Sequence, residues 1–229
     1  MKILVIIPAR GGSKRVYNKN IKILGGDPLI NWTINIAKNI PEICEIMVST
    51  DDPAIAFVAK KAGACIPWLR PDSLATDTAE SADVAIHALN WYEAEHGKVD
   101  GILLLQPTSP FRKKSTVIQG IELFIANNKR SVIGVSPVQD HPLWTFKLEK
   151  GYLTPFLINN RLRIRSQDLE PAFIVNGGFY LVSPTKLRRH RSFMEKRPIP
   201  LIIESPKEAL DIDTEWDFKL AELLLNESY

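Results

Sequence analysis

The chain has 229 residues, 45% hydrophobic and 24% charged, with a formal net charge of +3. That balance excludes a disordered or fibrous chain, and the length suffices to bury roughly 70% of the unfolded surface in one substantial core. Cys44 and Cys65 are the only cysteines, too few for a disulfide-stapled secreted domain or a four-thiolate zinc site, so a reducing cytoplasm is the expected setting.

Residues 3–7 form an apolar run closed by Pro8 and Arg10. It is far shorter than the roughly 20 residues of a membrane span and reads as a buried strand, and no targeting segment is expected. The segment that follows carries Arg10, Lys14, Arg15, Lys19 and Lys22 with no acidic residue before Asp27, so it alone exceeds the net charge of the chain. About 20 residues separate the strand from the next helical pattern, whereas such loops usually run about 2 to 6. Gly11 and Gly12 allow backbone amides close to an oxyanion, and the cations suit a polyphosphate. The spacing matches neither the P-loop nor the dinucleotide fingerprint.

Leu29, Trp32, Thr33 and Ile36 recur at helical spacing after Pro28, and Ile55, Val58 and Ala59 do so after Pro53, on either side of a strand at 46–48. A third helix holds Ala82, Ala85, Ile86 and Leu89, a strand follows at 102–105, and Val117, Ile121, Phe124 and Ile125 mark a fourth helix before a strand at 131–135. Residues 139–175 change character: Pro142, Pro155 and Pro171 interrupt them, and Arg161, Arg163 and Arg165 alternate so that an extended chain shows all three on one face. This stretch is expected to project as an insertion. Strands at 179–182 and 200–203 return to the body, a basic run at 188–197 reads as a solvated surface, and Trp216, Leu220, Leu223 and Leu224 mark a last helix. Alternating strands and helices predict a single α/β domain over 1–229, doubly wound about a mostly parallel sheet. Ligands of such sheets bind beyond the carboxyl ends of the strands.

Asp211 and Asp213 are two residues apart, so an extended backbone turns both carboxylates to one side, where they can share a hard cation. Asp213 or Thr214 could instead cap the following helix, with Asp217 in its first turn. His141, before Pro142, is taken as structural rather than as a general base.

The blocks Ile7-Pro8-Ala9-Arg10-Gly11-Gly12-Ser13-Lys14 with Asn18-Lys19-Asn20, Ser49-Thr50-Asp51-Asp52, Leu69-Arg70-Pro71 with residues 74–79, Leu105-Gln106-Pro107-Thr108-Ser109-Pro110-Phe111-Arg112, Asn176-Gly177 and residues 211–217 occur in one order across nearly the whole chain. Together they resemble the CMP-sialic acid synthetases, or acylneuraminate cytidylyltransferases. The resemblance implies a Rossmann-like, GT-A-like nucleotidyltransferase that joins CMP from CTP to the anomeric hydroxyl of a nine-carbon 2-keto sugar acid and releases pyrophosphate.

By the same resemblance, Arg10 and Lys19 contact the triphosphate and are catalytic together with Asp211 and Asp213, which hold magnesium, with manganese as the alternative. CTP binding falls to Ala9, Arg10, Gly11, Lys19, Asn20, Arg70, Asp77, Thr78 and Ser81, with Lys14 added on its charge. The sugar acid falls to Gln106, Thr108, Ser109, Arg163, Arg165, Gln167 and Asn176. The insertion at 139–175 corresponds to one that reaches across a homodimer to the neighbouring active site. Nucleic acid and membrane are not expected partners. The Arg165-Ser166-Gln167-Asp168-Leu169 form also resembles the pseudaminic acid branch, and Ser166 lacks the bidentate carboxylate grip of an arginine. Sialic, legionaminic and pseudaminic acids all stay open. A 3-deoxy-manno-octulosonate cytidylyltransferase is the nearest alternative enzyme, and a basic nucleic-acid-binding module is the alternative from another class.

Overall fold

In a computed structural model the structure describes residues 1–157, 165 and 168–226. Their centre is a six-stranded sheet built from β1 (Ile3–Pro8), β4 (Ile43–Ser49), β5 (Gly101–Leu104), β6 (Val132–Pro137), β9 (Phe173–Val182) and β10 (Ile199–Ile202), in the order β10-β6-β9-β5-β1-β4. Strand β1 runs parallel to β4 and β5, and β10 parallel to β6, while β9 runs antiparallel to β5 and β6. The sheet is therefore mostly parallel, as its aliphatic strands imply.

Alternation along β1 divides the core. Ile3, Val5 and Ile7 face one layer, packed with residues of α1 (Leu29–Ala37), α2 (Pro53–Lys61) and α4 (Lys114–Ala126). Leu4 and Ile6 face the other, packed with α3 (Ser81–His96) and with Leu187 of α5 (Pro184–His190). All five of these β1 side chains are fully buried, each contributing about 1.5–3 kcal/mol. Strands buried on both faces explain why the apolar runs carry no polar alternation. Among the described residues, no helix is long and apolar enough to cross a membrane.

The helix signals act as the sequence implies. Asp52 caps α2 by accepting from the amides of Ala54 and Ile55, with Pro53 at the first helical position. The last helix, α6 (Glu215–Asn226), starts at a box in which Asp217 accepts from the Thr214 amide at 2.7 Å and Thr214 Oγ1 accepts from the Asp217 amide at 3.2 Å. Helix α5 is not foreseen in the sequence: its start lies ahead of the basic run at 188–197. Arg188 pairs with Glu93 and Arg191 with Asp83, so two cations of that run tie the α5 region to α3 rather than solvating a bare surface.

Two short ladders lie outside the main sheet. The pair β2 (Ile23–Leu24) and β3 (Asp27–Pro28) ends the long basic loop before α1. The hairpin β7 (Phe146–Glu149) and β8 (Tyr152–Pro155) opens the expected insertion. That excursion closes earlier than 175, because β9 begins at Phe173 and pairs there with Pro137, and the Val138 amide donates to the Ala172 carbonyl at 3.1 Å.

Candidate nucleotide and acceptor site

Strands β1, β4, β5 and β6 end at one edge of the sheet, and antiparallel β9 enters the sheet there. The loops leaving that edge enclose a cavity of about 390 Å³ lined by Arg10, Lys19, Asn20, Arg70, Asp77, Ser81, Gln106, Thr108, Asp211 and Asp213, together with Ser13, Thr76 and Ala79. Ten residues singled out in the sequence thus converge here from four separate segments. Sequence reasoning missed Ser13 and Thr76, which lie inside the recognised blocks but carry no charge to mark them.

The basic loop is held by its own polar groups. The Asn20 side-chain amide donates to the Arg10 carbonyl at 2.9 Å, and the Gly11 amide donates to Asp51 at 3.0 Å. A Cβ on Gly11 would stand 3.0 Å from the Asp52 carboxylate, so a glycine lets the loop approach the end of β4. Each cation of the loop meets a carboxylate from elsewhere in the chain. Arg10 and Lys14 both reach Asp77 at 2.5 Å, Lys19 and Arg15 reach Asp213 at 3.2 and 3.5 Å, and Lys22 reaches Glu215 at 2.6 Å. Lys19 also donates to the Ile212 carbonyl at 2.8 Å and is the most buried of the five side chains, only 13% exposed.

The other expected CTP residues divide by role. Arg70 is buried and its guanidinium donates to the Ser49 hydroxyl at 3.1 Å, the Ser49 carbonyl, and the Leu74 carbonyl at 3.2 Å, so it pins the 70–81 segment while lining the cavity. Ala9 is buried in the core and its amide donates to the Ser49 carbonyl. Thr78 is exposed, with its hydroxyl 3.3 Å from that of Thr76, and is not among the lining residues.

Asp211 and Asp213 line the same cavity on either side of Ile212, whose side chain is fully buried. The same-side expectation therefore holds without a regular strand. Asp211 Oδ1 is buried and has no hydrogen-bond partner. Burial holds the Asp211 carboxyl above its ordinary range, Thr108 hydrogen bonding opposes this, and neighbouring Asp213 adds to it. An orphaned carboxylate oxygen beside a second carboxylate is a donor set suited to a hard cation. Among the described residues no cluster of three or more metal-ligating side chains exists, so such a cation would take its remaining oxygens from substrate and water. Helix capping falls to Thr214 and Asp217, which leaves the Asp213 carboxylate to face the cavity.

A second cavity of about 1080 Å³ shares Gln106 and Asp211 with the first and extends past Ser136, Asn176, Gly177 and Tyr180 to Ile174, Val175, Leu220 and Leu224. Its wall is set by close backbone packing. Gly177 has φ +73°, and a Cβ there would stand 2.6 Å from Gln106 Oε1. The Asn176 side chain donates to Ser136 Oγ at 2.9 Å and accepts from the Gly178 amide at 3.0 Å, fixing the irregular β6–β9 pairing. Arg112, buried, donates to the Gly178 carbonyl at 2.5 Å and the Gln106 carbonyl at 3.2 Å. Burial pulls its pKa down to about 10, against the pull of Glu208 and Asp211, so it stays cationic at neutral pH. Its role escaped sequence reasoning although it closes the Gln106 block.

Of the remaining acceptor candidates, Ser109 is buried with an unpartnered hydroxyl and Arg165 is exposed, its carbonyl accepting from the Asp168 amide at 3.0 Å. Arg161, Arg163 and Gln167 lie outside the described residues. His141 Nδ1 accepts from the Leu143 amide at 3.2 Å, which leaves Nε2 to donate to the Glu170 carbonyl at 3.1 Å. Both ring nitrogens are occupied locally, as a structural histidine requires.

The family model described as cytidylyltransferase matches residues 4–145, more than half of the chain. The chain belongs to the cytidylyltransferase family. This cytidylyltransferase is 39% identical over 226 residues to the CMP-N,N'-diacetyllegionaminic acid synthase of Legionella pneumophila, covering 98% of this chain and 97% of that protein. It is 32% identical to the pseudaminic acid cytidylyltransferase of Campylobacter jejuni, over 98% and 96% of the two chains. It is 33% identical to the N-acylneuraminate cytidylyltransferase of Streptococcus agalactiae, covering 95% of this chain and 52% of that protein. Among solved structures, CMP:2-keto-3-deoxy-manno-octonic acid synthetase complexed with CTP superimposes with a TM-score of 0.73 over 98% of both chains, at 16% identity, and shares the fold.

Proposed function

We propose that this cytidylyltransferase transfers CMP from CTP to the anomeric hydroxyl of a nonulosonic acid and releases pyrophosphate. The observation that carries the reading is the pair of adjoining cavities: one holds Arg10, Lys19, Asp211 and Asp213, and the other opens from it across Gln106 and Asp211. The first suits a nucleoside triphosphate and the second a sugar acid. The named activities of the relatives support the same substrates.

In this reading the acceptor oxygen bonds to the α-phosphorus as the bond to the bridging oxygen of pyrophosphate breaks, and the hydroxyl proton is lost. Such transfer depends on alignment and on neutralising phosphate charge. Arg10 and Lys19, with Lys14, do the neutralising, while Asn20, Asp77 and Ser81 border the nucleotide. Asp211 and Asp213 would hold magnesium, which supplies charge neutralisation at the phosphate oxygens. Gln106, which lines both cavities, would stand where the two substrates meet, with Thr108 on the nucleotide side. Arg165 and the rest of its stripe would grip the acceptor carboxylate, and a homodimer sharing its sites would bring that stripe in. The β7–β8 hairpin supports the dimer by presenting Leu148, Tyr152 and Leu153 to solvent. A cytoplasmic location agrees with two free cysteines, one exposed.

The test is pyrophosphate release from CTP and magnesium with sialic, legionaminic, pseudaminic and octulosonic acids in turn, and with ATP, GTP and UTP as controls. Release is expected with CTP and a nonulosonic acid, and chelation should abolish it. No release with any acid rejects the reading.

A further inference from the structure

The segment from 70 to 83 is the electrostatic complement of the basic loop: it carries Asp72, Asp77, Glu80 and Asp83 against the single cation Arg70. Only Asp77 of these reaches the loop. Its two oxygens are divided, Oδ1 to Arg10 Nη1 and Oδ2 to Lys14 Nζ, both at 2.5 Å, and the carboxylate bridges the two cations as a phosphate group would. Among the described residues, the Asp77 carboxylate has no other partner. The two cations together hold the Asp77 carboxyl below its ordinary range.

Asp77 sits on a turn between two anchors, closed by the Ala79 amide donating to the Thr76 carbonyl at 3.2 Å. Arg70 anchors the segment on one side through Ser49 and the Leu74 carbonyl, and α3 begins at Ser81 on the other. Between Leu74 and Ser81 there is no helix or strand, and Asp77 is half-exposed. Arg10 and Asp77 line the nucleotide cavity, so the pairing lies where the triphosphate is proposed to bind.

We infer that Asp77 is a positioning residue that acts as a built-in competitor of the triphosphate, holding Arg10 and Lys14 aligned and yielding them when the nucleotide enters. This rests on the proposed use of those two cations for CTP. The carboxylate sets a threshold: an anion must offer Arg10 and Lys14 more than one aspartate does. A triphosphate passes that threshold more readily than a singly charged anion, and free pyrophosphate meets it on leaving.

Asp77→Asn keeps the side-chain volume and removes the charge. Two exposed ion pairs are released from competition, and KM for CTP should fall roughly two- to tenfold at low salt, with kcat changing less. The dissociation constant of inorganic pyrophosphate, read by calorimetry, should fall in parallel. Both advantages should shrink at about 0.5 M salt, where screening removes the competition. Glu80→Gln removes an equal charge from the same segment without touching either cation, and should leave both values unchanged. A KM that is unaltered or raised in Asp77→Asn overturns the inference. So does an equal fall in Glu80→Gln, or an advantage undiminished at high salt. Absence of CTP-dependent release by the unaltered enzyme would instead reject the proposed function itself.

Discussion

Arg112 Nε donates to the carbonyl of Gly178 across 2.5 Å, joining the Gln106 block to the middle of β9 through a buried charge. Replacing Arg112 by Met fills the volume but leaves the Gly178 and Gln106 carbonyls without these donors and the buried Glu208 carboxylate without this cation. Breaking a buried charged cluster from one side costs about 3–5 kcal/mol, and a loss of that size is expected in urea unfolding of Arg112→Met.

Gly177→Ala meets two obstacles. A left-handed backbone costs a non-glycine residue about 1–2 kcal/mol, and the new methyl would stand 2.6 Å from Gln106 Oε1. Gln106 must then leave its position between the two cavities. Steady-state kinetics should show kcat/KM for the acid falling by up to about 100-fold, while KM for CTP changes far less. Equal effects on both substrates would place Gln106 elsewhere.

Arg10→Ala should separate activity from stability. Its ion pair with Asp77 is 39% and 51% exposed, so the variant should unfold within about 1 kcal/mol of the parent. Loss of a donor aimed at developing phosphate charge costs roughly 100- to 1000-fold in turnover. Unchanged turnover would remove Arg10 from the reaction.

At the opposite edge of the sheet, the Lys129 ammonium and the Lys2 amide hold the Asp100 carboxyl below its ordinary value of 3.8. A carboxyl depressed in the folded state stabilises the fold above its unfolded value, and that contribution is lost as pH falls through the folded value. The stability difference between the parent and Asp100→Asn should therefore be full at neutral pH and vanish in acid below 3.8. Denaturant midpoints across pH 2–7 would check this, and a gap that widens in acid would contradict it.

Much of the frame was legible because burial leaves a direct trace in composition. The aliphatic runs at 3–7 and 46–48 fall in core strands and that at 102–105 runs one residue past β5, while Pro28 precedes α1 and Pro53 opens α2. The direction of β9 was not legible, since a strand buried in the sheet carries no mark of whether its neighbours run with or against it. Helix α5 was obscured because Lys186, Arg188, Arg189 and His190 dominate seven residues whose buried side chains are only Pro184 and Leu187. In the site, the alternation of Asp211 and Asp213 was visible locally. The Asp77–Arg10 and Arg112–Gly178 pairings were not, because each closes over more than 60 residues of chain.

The reversed direction of β9 has an evolutionary corollary. Its first residue enters at the edge where β6 ends, so the 138–172 excursion departs and returns at one point, closed by Val138 and Ala172. A segment inserted this way can lengthen, shorten or be exchanged while every core residue keeps its neighbours. Since its base adjoins the larger cavity, a change in this excursion would reach the proposed acceptor site while the strands that carry the proposed nucleotide site keep their places.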